Sequence, residues 1–162
     1  MLLSSLGDIF MTDAFGLGST VSGIPGAAFF IAAHIVYATC FTSLTKQYGY
    51  KYKNAGFYLG LVLTVISAVI LFVFACLSDD PQYGMLVLIL IYIAIIGWNI
   101  VSNFSYSFSD KGARIIFLPF AILLFYLTDI WIFLDMLNIY SGLHGIVWYF
   151  YPEAQLLLIL FC

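Results

Sequence analysis

The chain has 162 residues, 64% of them hydrophobic and 8% charged, with a formal charge of −3. A water-soluble domain carries about 25% charged residues, so this composition excludes a water-clothed globule and leaves a multi-pass helical membrane protein. No basic patch points to nucleic acid, and the three cysteines, Cys40, Cys76 and Cys162, give neither the even count of a disulfide framework nor the spacing of a zinc site.

The first apolar run, MLLSSLGDIFM, lacks the basic flank of a signal peptide, is interrupted by Asp8 and is too short to span. It reads as a partial helix over residues 1–12, the second half of a span. Repeated Gly, Ser and Thr then predict a loop from Thr12 to Gly23. Five full spans are expected at residues 25–44, 55–77, 83–103, 113–135 and 146–162, which makes the chain a single all-α transmembrane domain, a polytopic helical bundle. Pro25 suits a first helical turn, where its missing N–H leaves nothing unpaired. The connections are a basic, tyrosine-rich turn over 46–53, an acidic turn at Ser78–Pro81, a polar turn over 105–112 and a loop around Gly142, His144 and Gly145.

Orientation follows from the basic residues. Lys46, Lys51 and Lys53 share one loop, and Lys111 and Arg114 lie in the loop two spans later. Alternating crossings put both loops, 45–54 and 104–114, on the same side, which the positive-inside rule makes cytoplasmic. Asp79 and Asp80 fall on the opposite side.

Depth can then be assigned to the polar residues inside the spans. Asp129 interrupts the apolar run Pro119–Asp135, and a carboxylate there costs at least about 2.5 kcal/mol on insertion scales. At 1.5 Å per residue it sits about 9 Å below the outer end of its helix, and Asp8 about 6–8 Å deep. His34 and Gln155 each lie about 13 Å from an outer end, with Glu153 shallower. Asn99 and Asn103 are expected in the cytoplasmic half, far from the aspartates.

Two chemistries suit this set. The aspartates can act as interhelical hydrogen-bonding glue, one of them pairing with His34. Alternatively, two carboxylates in a low-dielectric cleft do not both ionise easily, which leaves an acid and a base side by side. Tyr37 and Phe30 share the helical face of His34, and Tyr151 shares that of Gln155. Pro152 removes a backbone hydrogen bond next to that pair. There is no G-x-S-x-G or H-E-x-x-H to support a serine nucleophile or a zincin.

Four stretches together resemble the YhhN-type integral membrane family, whose characterised members are lysoplasmalogenases. Ser5-Leu-Gly-Asp8 is similar to the family's S-x-G-D helix, and Gly26 to Tyr37 with Phe41 is similar to its G-x-x-x-F-x-x-x-H-x-x-Y helix. Phe125-Tyr-Leu-Thr-Asp129 is similar to F-x-x-S-D, with Thr128 for Ser, and Tyr151-Pro-Glu-Ala-Gln155 to the closing Y-x-x-A-Q. Ala121, Pro152 and Glu153 depart from the usual pattern. Family members look like eight-span proteins, so the resemblance implies a fragment that enters within the third span.

The resemblance also implies hydrolysis of the vinyl ether bond of lysoplasmalogens, giving a fatty aldehyde and glycerophosphocholine or glycerophosphoethanolamine. Asp8 and Asp129 would be the catalytic pair, with His34, Tyr37, Tyr151 and Gln155 supporting them or holding the head group. No cofactor or metal is expected. The partners are a lysophospholipid substrate drawn from the bilayer and the membrane lipid itself, and the family-level location is the endoplasmic reticulum or plasma membrane. The rival expectation is a non-enzymatic small transporter or lipid-binding protein that uses the aspartates to bind a proton or polar substrate. An intramembrane aspartyl protease fits less well, because Ser5-Leu6 precedes Gly7-Asp8 where G-x-G-D is required.

Overall fold

A computed structural model describes residues 2–11, 16, 19–76, 83–109, 114–136 and 144–161. They form α1 (Leu2–Met11), α2 (Ser19–Gln47), α3 (Ala55–Cys76), α4 (Tyr83–Ser107), α5 (Arg114–Met136) and α6 (His144–Phe161), with no strand among the described residues. Pro25–Gln47, Ala55–Val73 and Leu90–Ser107 are each long and apolar enough to cross a membrane, and α5 carries a shorter apolar run at Ile116–Ile132. Of the five full spans expected, three therefore meet that standard among the described residues. Asp129 and Asp135 flank or break the run on α5, and Pro152, Glu153 and Gln155 interrupt α6.

Two boundaries differ most from expectation. Helix α2 begins at Ser19, so Pro25 lies inside it and the residues just before it are helical rather than loop. A proline removes one bond to the carbonyl four residues back, and the long apolar run that follows carries the helix through. Helix α4 runs to Ser107, so Ser105–Ser107 form a last helical turn instead of a polar connection. Serine can satisfy its hydroxyl within a helix by bonding back to a carbonyl. Ser107 Oγ does so to the Asn103 carbonyl at 2.8 Å.

The turn after α2 is tightly specified. Gly49 has φ 67°, Tyr50 N–H reaches the Thr45 carbonyl at 2.9 Å and Gly49 N–H the Lys46 carbonyl at 3.0 Å. That is a Schellman cap, which favours glycine at the left-handed position. Five residues on, Asn54 Oδ1 caps α3 by accepting from Phe57 N–H at 3.0 Å. Its Nδ2 donates to the Ser105 carbonyl at 2.7 Å and to Ser109 Oγ at 2.6 Å. A directed chain of hydroxyls runs alongside. Thr42 donates to the Ala38 carbonyl, so Ser102 must donate to Thr42 (3.1 Å) and Tyr52 to Ser102 (3.0 Å). These bonds fasten the lysine-bearing turn to the end of α4.

Helix α4 is the centre of the bundle. It packs on α2, α3 and α5, while α1 leans on α2 and α6 on α5. Residues 99–107 are buried on every side as a result. Helix α3 approaches closely through Gly56 and Gly60, four residues apart. A Cβ at Gly56 would lie 2.2 Å from the Phe104 carbonyl oxygen, and one at Gly60 3.0 Å from Val101 Cα. Small residues at this spacing let helices in lipid come close enough for dense backbone contact. The far side of α3, with Val62, Val65, Ile66, Val69 and Ile70, stays exposed for lipid.

Candidate functional site

The site is built on four helices around His34. Its ring is fully buried on α2 and is held at both nitrogens. Nε2 lies 3.1 Å from Asp129 Oδ2 on α5 and 3.3 Å from the Tyr92 hydroxyl on α4. Nδ1 lies 3.0 Å from Asn99 Nδ2, also on α4. Helices α2 and α5 do not pack backbone to backbone among the described residues, so the His34–Asp129 pair bridges them through side chains alone. Asp129 is only 2% exposed. A carboxylate at this burial is tolerated because it is paired and hydrogen-bonded.

Aromatic rings close the box. Phe125, one turn before Asp129, meets His34 edge-on at 5.0 Å and Tyr151 of α6 at 5.0 Å; Phe30, one turn before His34, meets Tyr151 edge-on at 6.0 Å. Edge-to-face contacts of this kind fix ring orientation as well as burying area. Thr128 turns its hydroxyl back to the Phe125 carbonyl at 2.6 Å and leaves Asp129 to His34.

On the other side of Tyr151, a cleft of about 290 Å³ is lined by Ser5 and Asp8 of α1 and by Tyr151, Pro152, Gln155, Leu156 and Ile159 of α6. Asp8 is half-buried there. Its carboxyl meets the Tyr151 hydroxyl, and the Tyr151 ring packs on Phe125, one turn before Asp129. Helices α1 and α6 do not pack backbone to backbone among the described residues, and Leu156 and Ile159 are open to lipid. Gln155 Nε2 is screened from solvent without a hydrogen-bond partner, so a bound polar group would satisfy it.

Most of the residues singled out from the sequence meet here. His34 and Asp129 touch; Asp8, Tyr151 and Gln155 share one cleft; Tyr37 is half-buried against the core. Glu153 is exposed on α6, and His144 starts that helix. Asn99 corrects the expectation that it lies far from the aspartates. His34, at mid-span, reaches Asn99 with one nitrogen and Asp129 with the other. Tyr92 was not expected at all. It stands seven residues before Asn99, two turns along the same face of α4, and that spacing of polar tips was the available signal. Among the described residues, no group of three His, Cys, Asp or Glu side chains could hold a metal ion.

No curated protein and no solved structure matches the chain. The model of the YhhN family matches it over residues 1–161, the same four motif-bearing helices included. The chain belongs to the YhhN family.

Proposed function

We propose that the protein hydrolyses the vinyl ether bond of lysoplasmalogens, with Asp8 and Asp129 as the acid–base pair. The observation that carries this reading is a half-buried carboxylate, Asp8, beside Tyr151 in a cleft open to lipid, with the Tyr151 ring packed on Phe125 one turn before the His34-paired Asp129. A vinyl ether is cleaved by protonation at its outer carbon, which gives an oxocarbenium ion. Water adds to that cation, and the hemiacetal collapses to aldehyde and alcohol; one water is consumed and the proton is returned. One carboxylic acid and one carboxylate suffice for both proton transfers, and the ionised partner stabilises the cation.

The cleft supports the substrate class. Leu156 and Ile159 offer a wall for an alkenyl chain arriving sideways from the bilayer, and Gln155 offers a donor for glycerol or phosphate oxygens. Asp129→Asn in the full-length protein should abolish aldehyde release from a lysoplasmalogen in detergent micelles. Near-normal turnover would overturn the assignment.

A second reading has one observation in its favour. Asn99, Asn103 and Ser107 continue from His34 along α4 as fully buried polar groups, each one turn below the last. Such a file suits proton movement in a transporter. pH-coupled flux into proteoliposomes, with no aldehyde formed, would favour it.

A further inference from the structure

Asn99 carries no titratable group and touches neither carboxylate, yet its place beside His34 has a chemical consequence. Both ring nitrogens of His34 are engaged, and a neutral imidazole has one N–H and one bare nitrogen. The side-chain nitrogen of Asn99 faces Nδ1 at 3.0 Å, while its oxygen is buried with no partner. An amide N–H can only donate, so Nδ1 is the bare nitrogen and the proton belongs on Nε2. The other side of the ring agrees. Nε2 has two oxygen neighbours, Asp129 Oδ2 and the Tyr92 hydroxyl. A bare Nε2 would set its lone pair against the Asp129 carboxylate, which can only accept, whereas Nε2–H donates to that carboxylate and the Tyr92 hydroxyl donates to it as well.

We propose that Asn99 is the positioning residue that locks His34 as the Nε2–H tautomer, which makes Asp129 the hydrogen-bond-accepting carboxylate and assigns the acid's role to Asp8. The consequence for catalysis rests on the hydrolase reading above; the tautomer does not. A histidine held by a fixed partner on its far nitrogen presents one defined atom to its working side. Asp129, accepting from His34, is then the group that stabilises the cation and draws water to it. Asp8, half-buried at the cleft, has the access needed to protonate the alkenyl carbon and be reprotonated from the interface.

The test is nitrogen-15 NMR of histidine-labelled full-length protein in detergent micelles, with His144→Gln so that His34 is the labelled ring observed. The expected spectrum has a protonated Nε2 and a bare Nδ1. Asn99→Leu should erase that single-tautomer pattern and lower aldehyde release about tenfold or more. Asn99→Asp, which can only accept at Nδ1, should convert the ring to one protonated at Nδ1. A wild-type spectrum with the proton on Nδ1, or an Asn99→Leu spectrum like the wild type, overturns the proposal. If the tautomer is as expected but no lysoplasmalogen is cleaved, the lock stands and the hydrolase reading falls. If aldehyde is released but the proton sits on Nδ1, the reverse holds. The wild-type spectrum is decisive even if neither variant folds.

Discussion

Replacing Gly56 with alanine should loosen the bundle by an amount that the geometry bounds. The added methyl would lie 2.2 Å from the Phe104 carbonyl oxygen, 2.7 Å from its carbon and 2.8 Å from Phe108 Cβ. That oxygen accepts Phe108 N–H at 3.0 Å and belongs to the most buried part of α4, so it cannot step aside as a side chain would. Restoring ordinary contact requires the helices to part by roughly 1 Å, and overpacking of this kind costs about 1–3 kcal/mol. Against it stands the better helix propensity of alanine, at most about 1 kcal/mol. A 2.2 Å approach to backbone puts the cost at the upper end of that range, so the net expectation is a loss of about 2 kcal/mol. Gly60→Ala, at 3.0 Å from Val101 Cα, should lose less. For Gly97→Ala the three nearest atoms all belong to the Thr64 side chain, which can turn away by giving up its 2.8 Å bond to the Gly60 carbonyl, worth about 1 kcal/mol. Equilibrium unfolding in mixed micelles, titrated with a denaturing detergent, ranks the three. A Gly56→Ala protein as stable as its parent would refute the view that α3 and α4 meet backbone to backbone here.

Other substitutions probe the site and its supports. His34→Leu leaves Asp129 buried beside α2 without its hydrogen-bond donor, and stranding a buried polar group costs about 1–3 kcal/mol, more when it is charged; thermal unfolding in micelles should show the loss, with aldehyde release gone as well. Ser102→Ala removes the middle of the Tyr52–Ser102–Thr42 chain and should destabilise by about 1–2 kcal/mol by the same measurement, at roughly 1 kcal/mol per bond. Orientation can be read directly: Lys51→Cys in a cysteine-free background should resist a membrane-impermeant thiol reagent on intact cells and react after permeabilisation. Labelling from outside would invert the topology.

Composition and apolar run length were enough to find the bundle, because 8% charge over 162 residues leaves no alternative to lipid-facing helices. A rise of 1.5 Å per residue gave each polar residue an expected level along its helix, and the structure brings His34 against Asp129 and puts Asp8 and Gln155 in one cleft. What depth cannot give is rotation about each helix axis. His34 was free to pair with either aspartate or neither, and which partner wins depends on α4, whose Tyr92 and Asn99 take the remaining faces of the ring. Asn99 looked remote because a long side chain at mid-span reaches both halves of the membrane, and axial distance alone hides that. The serines at the end of α4 misled for a different reason. Serine favours turns when its hydroxyl competes with the backbone, but here those hydroxyls are absorbed by helix carbonyls and by Tyr52, and the helix continues.

The centrality of α4 also sets a schedule. Helix α2 is complete by Gln47, whereas its packing partner α4 ends at Ser107; at about 5–20 residues per second, translation separates them by roughly 3–12 seconds. Throughout that interval His34 and Thr42 have neither Asn99, Tyr92 nor Ser102 to meet, so α2 must wait with its imidazole facing lipid, the insertion machinery or a chaperone. A nascent chain stalled after α3 is therefore a natural substrate for membrane quality control, and the arrival of α4 is the event that releases it.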